Sequence, residues 1–260
     1  MPLRIIAAVA AVSLLAILAF GASLALMIPI AAEDALHHSL ESAGGFGDEY
    51  AWLCPTADGR SYDPQTLTMH IDEDSFLHST RGSVLRQGTR LVSCPFGLVD
   101  PDDKYVGEVA GHILGCTAGY PDLLRAEAAL SFVQCAVQYE HDSDLFGVED
   151  FWASPTETLF LHRGDCEDTS VLLCSVLLAM GYRCALLDFP GHVAVGVYLG
   201  DSEDYLFCET TYDVPLPIGS GGYAAGEDPE VYGDFYGSPL TAVNGLLASC
   251  RDLIRTVAGT

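Results

Sequence analysis

The chain has 260 residues, 36 of them acidic and 11 basic, for a net charge of −25, and half of its residues are hydrophobic. That length accommodates a membrane segment and one sizeable core. Such a charge repels a phosphate backbone, and with Lys104 as the single lysine no basic stripe exists to release counterions, so nucleic acid is excluded as a partner.

Ile5 to Ala32 is a run of 28 residues without charge. As a helix rising about 1.5 Å per residue it more than spans a hydrocarbon core of roughly 30 Å, so residues 1–32 are expected to form one N-terminal transmembrane anchor. A cleaved signal peptide is the competing reading, because small residues cluster between Gly21 and Ala25, although the run exceeds the ~7–15 apolar residues of an ordinary signal sequence. Arg4 precedes the run while Glu33 and Asp34 follow it, which predicts a cytoplasmic N-terminus and an extracytoplasmic domain.

Residues 33–49 are mostly small and polar and read as a tether. Residues 50–99 read as an accessory segment. Tyr50 to Cys54 and Thr66 to Ile71 have strand character and are separated by Pro, Asp and Gly, which predicts a peripheral hairpin; Asp74 to Arg86 reads as a short helix and Leu91 to Cys94 as an extended piece. Residues 100–260 form the main domain. Asp100-Pro101-Asp102-Asp103 starts a helix over Tyr105 to Leu114, and Tyr120-Pro121-Asp122 starts another leading through Leu123 to Tyr139.

The richest stretch is His162-Arg163-Gly164-Asp165-Cys166-Glu167-Asp168, which runs into an apolar segment ending at Met180. Asp165 is a good N-cap, and Val171, Leu172, Cys174, Ser175 and Leu178 recur at helical spacing, so Cys166 is predicted in the first turn of a buried helix. Unpaired N–H groups and the positive end of the helix dipole favour an anion there, which biases the thiol toward thiolate. The plainer reading of Cys166 is a small apolar residue filling a helix start.

Downstream, Gly191-His192 opens an alternating strand to Leu199, and Tyr205 to Thr211 reads as its partner. A turn centred between Gly200 and Asp201 would set His192 directly opposite Glu209, close enough for a carboxylate to hold an imidazole in one tautomer. A one-residue slip in that turn would break the pairing.

These residues resemble the transglutaminase-like superfamily, especially its microbial branch. The resemblance is carried by Pro155-Thr156-Glu157-Thr158-Leu159, Gly164-Asp165-Cys166-Glu167-Asp168, Pro190-Gly191-His192-Val193-Ala194-Val195-Gly196-Val197 and Glu209-Thr210-Thr211, in that order, with Phe132-Val133-Gln134 and Tyr139 upstream and Pro217-Ile218-Gly219 downstream. It implies a papain-like triad of Cys166, His192 and Glu209, the last standing where the family usually has aspartate. It also implies an oxyanion-stabilising amide at Gln134, whose plainer reading is a helix glutamine on a wet face. Trp152, with its indole N–H, is the less favoured donor.

His162, Asp165, Cys166, Glu167, Asp168 and His192 lack the spacing of a metal motif, and neither a metal nor another cofactor is expected. Glu167 and Asp168 complement the helix dipole, but their charges partly oppose thiolate formation at Cys166. His162 and the remaining histidines fall in predicted surface segments. Of the nine cysteines, Cys54 and Cys94 each precede proline at the edge of a peripheral element and form the best candidate disulfide. Cys116 and Cys250 have no evident partner. Val214 to Gly237 reads as loop, and Leu240 to Val257 as a closing amphipathic helix.

The expected architecture is an α+β, papain/transglutaminase-like core, with the nucleophile helix packed on an antiparallel β-sheet and one transmembrane helix before it. The expected chemistry is acyl transfer on protein or peptide amides, with hydrolysis favoured over transamidation because water is always present. The contrasting possibility is a membrane-anchored binding module that retains the fold without catalysis.

Overall fold

A computed structural model describes residues 48–79, 95–221 and 228–233. The expected anchor, nearly all of the tether, the extended piece at 91–94 and the closing helix lie outside these residues. Among the described residues no helix is long and apolar enough to cross a membrane.

The fold is mixed helix and sheet. It opens with an antiparallel hairpin of β1 (Glu49–Pro55) and β2 (Tyr62–Thr68). Alternation along β1 buries Tyr50, Trp52 and Cys54 on one face, as a half-buried strand requires. That face shares a core cluster with Phe132 and Leu159 rather than standing apart as a peripheral element. Of the helix expected from Asp74, residues 73–79 are described and helical.

Two helices follow. In α1 (Lys104–Cys116), Asp103 Oδ1 accepts from the N–H groups of Tyr105 and Val106 at 2.8 and 3.0 Å, so the acidic start read from the sequence is a side-chain cap. α2 (Asp122–Ala136) stops short of Tyr139, because β3 (Gln138–Tyr139) pairs in parallel with β4 (Arg163–Gly164). Between them lie the short α3 (Asp142–Leu145) and α4 (Pro155–Leu161). α4 begins with a capping box in which the Ser154 hydroxyl accepts from the Glu157 N–H and the Glu157 carboxylate accepts from the Ser154 N–H.

The centre of the molecule is α5 (Cys166–Ala179), every residue of which from Cys166 to Leu177 is buried. Beyond the polar first turns, the helix is nearly all apolar and so belongs inside. It packs on a four-stranded antiparallel sheet of order β7-β6-β5-β8, formed by β5 (Arg183–Phe189), β6 (His192–Tyr198), β7 (Leu206–Cys208) and β8 (Glu230–Tyr232). Leu172, Cys174 and Leu177 meet Cys184, Leu186, Val193, Val195 and Val197 in one core cluster.

Three strand expectations need correction. β5, unread in the sequence, pairs with β6 through the two-residue turn Pro190-Gly191, where φ of +77° suits glycine. β8 lies in the segment read wholly as loop, and pairs with β5. The β6–β7 register also differs, with Val195 opposite Cys208 and Val197 opposite Leu206, two positions from the expected alignment. β7 ends at Cys208, because the residues after it are captured by side chains instead of by a neighbouring strand.

Candidate active site

The loop that delivers Cys166 is fastened at both ends. His162 caps α4 with φ of +51°, making it the one described non-glycine residue in the left-handed region. Its ring stacks on Tyr50 with centroids 4.2 Å apart, and the Tyr50 hydroxyl donates to the Leu159 carbonyl at 2.9 Å. His162 is thus half-buried and packed, not loop surface. The Gln138 N–H donates to the His162 carbonyl at 2.8 Å and the Glu140 N–H to the Gly164 carbonyl at 3.1 Å, while Arg163 pairs with Glu140 at 3.0 Å. At Gly164 any β-carbon would stand 2.7 Å from that of Asp168, so a side chain there would have to displace the first turn of α5.

His192, first residue of β6, and Glu209, just past β7, come together with Nε2 and Oε2 2.9 Å apart. The two-position register shift preserves the side-chain face, so diagonal neighbours still meet. Both side chains are largely buried, at 16% and 13% exposure, where a charge-assisted hydrogen bond is strong. Burial pushes the Glu209 carboxyl up. The hydrogen bond and charge of His192 and two hydrogen bonds from Thr211 outweigh it and hold the group below its ordinary range.

Cys166 opens α5 as expected, but its thiol does not behave as expected. Cys166 is 8% exposed and its sulfur donates to Glu167 Oε2 at 3.0 Å. Burial, then the charge of Glu167 and the hydrogen bond to it, push the thiol well above its ordinary value, while the Val193 N–H beside the sulfur pulls the other way. Desolvation and a flanking carboxylate thus oppose the bias toward thiolate expected of a helix start. Val193 follows His192 in β6, so α5 and the strand bearing the His192 imidazole meet at the sulfur; Ser170 Oγ, donating to the Val193 carbonyl at 3.1 Å, fixes that contact.

Gln134 is buried and does not sit on a wet face. It is 1% exposed, its amide nitrogen donates to the Glu209 carbonyl at 2.7 Å, and its oxygen accepts from the Leu216 N–H at 3.0 Å. The amide pins the loop that carries Glu209. Tyr139 comes nearer the chemistry. Paired through its backbone with Gly164, it has its phenol pushed up to about 12 by burial first and then by Cys166, Asp165, Glu167 and Asp142.

The spacing argument against a metal missed Asp142. Carboxylate oxygens of Asp142, Asp165 and Asp168 lie within 4.8 Å of one another, as do ligand atoms of Asp165, Cys166 and Glu167 and those of Asp142, Asp150 and Glu167. Asp168 is fully buried; its Oδ1 accepts from the Ala153 N–H at 2.6 Å and its Oδ2 from the Asp165 N–H at 3.4 Å. Asp142 Oδ2 accepts from the Phe151 N–H at 2.5 Å, while Oδ1 of Asp142 and Oδ1 of Asp165 are buried without a hydrogen-bond partner. Burial, with mutual repulsion added, raises Asp142 to about 7 and Asp165 to about 9, and Asp168 moves in the same direction. Orphaned oxygens on two of these buried acids are what a hard divalent cation would satisfy, and the donor set of Asp142, Asp165 and Asp168 fits one. Asp142 lies 23 positions before Asp165 in sequence, in a stretch without periodicity, so only the β3–β4 pairing brings it near.

The cysteines rearrange one further expectation. Cys94 lies outside the described residues. Cys54 is buried and unbonded, its thiol pushed up to about 11 by burial and then by Cys116, its neighbour across the hairpin packing. His112, read as surface, is half-buried and accepts from Trp52 Nε1 at 3.4 Å.

No family model matches the chain, and no curated protein matches it. Solved structures of Legionella pneumophila LapG are similar in part. The EGTA-treated form is 18% identical with a TM-score of 0.38, over 54% of this chain and 80% of that one. The calcium-bound form is 18% identical with a TM-score of 0.37, over 56% and 90%. A third LapG structure is 17% identical with a TM-score of 0.37, over 58% and 91%.

Proposed function

We propose that the chain is a thiol-dependent acyl-transfer enzyme acting on protein or peptide amides, with Cys166 as nucleophile, His192 as base and Glu209 as orienting acid. The observation that carries the reading is the His192–Glu209 hydrogen bond of 2.9 Å on the strand that touches the Cys166 sulfur. With Nε2–H held by Glu209, Nδ1 of a neutral imidazole is left as the base. Cys166 gives its proton to His192 and its sulfur bonds to the amide carbonyl carbon. Collapse breaks the C–N bond, the leaving amine takes the proton from the imidazolium, and a thioester remains. Water, deprotonated by the same imidazole, then adds to the thioester carbonyl, the C–S bond breaks to release the acid, and the imidazolium returns its proton to the Cys166 sulfur. Hydrolysis is favoured over transfer to an amine, which needs a water-excluding site.

The resting thiol is covered by Glu167, so the site also needs something to compensate its carboxylates. Asp142, Asp165 and Asp168 would hold a divalent cation such as calcium, and the bound charge would relieve their repulsion and favour the thiolate. In the proposed setting the N-terminal run anchors the enzyme and the charge flanks place its domain outside the cytoplasm; protease added to intact cells should degrade that domain, and protection would reverse the orientation.

Alkylation with iodoacetamide followed by peptide mapping tests the chemistry. With millimolar calcium, Cys166 is expected to label first among the cysteines, and at least about tenfold faster than in chelator, because its thiolate fraction rises. His192→Ala should remove that lead. Labelling of Cys166 no faster than that of fully buried Cys174 would leave the non-catalytic binding module as the better account.

A further inference from the structure

Glutamate in the orienting position carries one more rotatable bond than aspartate, so something must fix which oxygen faces the imidazole. Here Glu209 Oε1 accepts from both the N–H and the hydroxyl of Thr211, at 3.2 and 2.9 Å, which leaves Oε2 for His192 at 2.9 Å. The backbone is held as well, by Gln134 on the Glu209 carbonyl at 2.7 Å. Between Glu209 and Thr211, the buried hydroxyl of Thr210 lies 2.8 Å from that of Thr169, which in turn donates to the Asp165 carbonyl at 2.6 Å. The segment 209–211 is therefore joined through hydroxyls to the start of the nucleophile helix, and not by a strand ladder, since β7 has already ended.

We propose that Thr211 is the positioning residue that lets a glutamate serve at His192, by clamping Oε1 so that Oε2 alone meets the imidazole. This rests on the Cys166–His192–Glu209 reading. Two donors on one oxygen remove the freedom that the extra methylene would otherwise give, and the hydroxyl, unlike the backbone N–H, depends on the residue type.

The ring nitrogens of His192 report on the clamp directly, because a carboxylate fixed at Nε2 selects the Nε2–H tautomer. In the full chain, labelled with ¹⁵N-histidine and measured at pH 8.5 with His192 identified by its loss in His192→Gln, the native protein and Thr211→Ser should show that tautomer alone. Thr211→Val should show a mixture, with Cys166 alkylation slowed about tenfold, the effect of losing one hydrogen bond to a charged group. Thr211→Ala serves as a second loss variant should valine not fold. A native tautomer pattern in both loss variants overturns the role of Thr211. Glu209→Ala separates the two levels: a mixture there with a native pattern in Thr211→Val removes Thr211 alone, whereas a native pattern in Glu209→Ala removes the triad itself.

Discussion

Cys166→Ala should abolish turnover of peptide substrates, by about 10⁴-fold or more, while leaving thermal unfolding nearly unchanged. The residue is small and sits at a helix start, so alanine removes one weak hydrogen bond to Glu167 and opens little space. His192→Ala should cost nearly as much, since the sulfur would then face its acidic surroundings without a base, and residues that act as a unit fail together. Cys174→Ala is the control: its thiol lies fully buried between α5 and the sheet, and its loss should affect stability and not turnover. Screening envelope peptides with the purified full chain would check all three. More than a tenth of native turnover in Cys166→Ala would sink the proposed chemistry.

The second large effect concerns the acidic cluster. Burial lifts Asp142 from 3.8 to about 7, so the folded protein holds this proton where the unfolded chain has lost it. Stability from that difference is fully present below about pH 4 and lost as pH rises through 7; Asp165 and Asp168 act in the same direction. Glu209 has the opposite sign, but is one group against three. For Asp142 alone the difference is on the order of 4 kcal/mol. In chelator, Tm should therefore fall by roughly 10 °C between pH 5 and pH 8, and millimolar calcium should restore it at pH 8. Asp142→Asn should flatten the chelator curve in part, since Asp165 and Asp168 remain, and weaken the calcium effect. An unchanged Tm across both conditions would remove the cation from the proposal.

How far the sequence could lead is visible residue by residue. The helix that opens with Cys166 was legible because its periodicity and N-terminal acids are local signals, and the meeting of His192 with Glu209 because strand alternation conserves the face even when the register moves by two. What stayed hidden depends on distance. The upward push on the Cys166 thiol comes from burial and from Glu167, and burial is not visible in the sequence. Asp142 reaches the site only through the short parallel pairing of β3 with β4, and Gln134 shows its partners only once the loop to Leu216 closes over it. β8 is three residues long, too short to carry a pattern of its own.

The stacking of Tyr50 on His162 bears on where the chain can be divided. The hairpin looks from the sequence like an appendage, yet Tyr50 reaches a residue four positions before the nucleophile, and Trp52 packs edge-on against Phe132 of α2. A fragment beginning at residue 100 would leave Phe132 facing water and His162, held in a left-handed conformation, without the ring that braces it. The smallest unit able to present Cys166 thus begins upstream of β1, and the hairpin that follows the tether shares one core with the helix that carries Cys166.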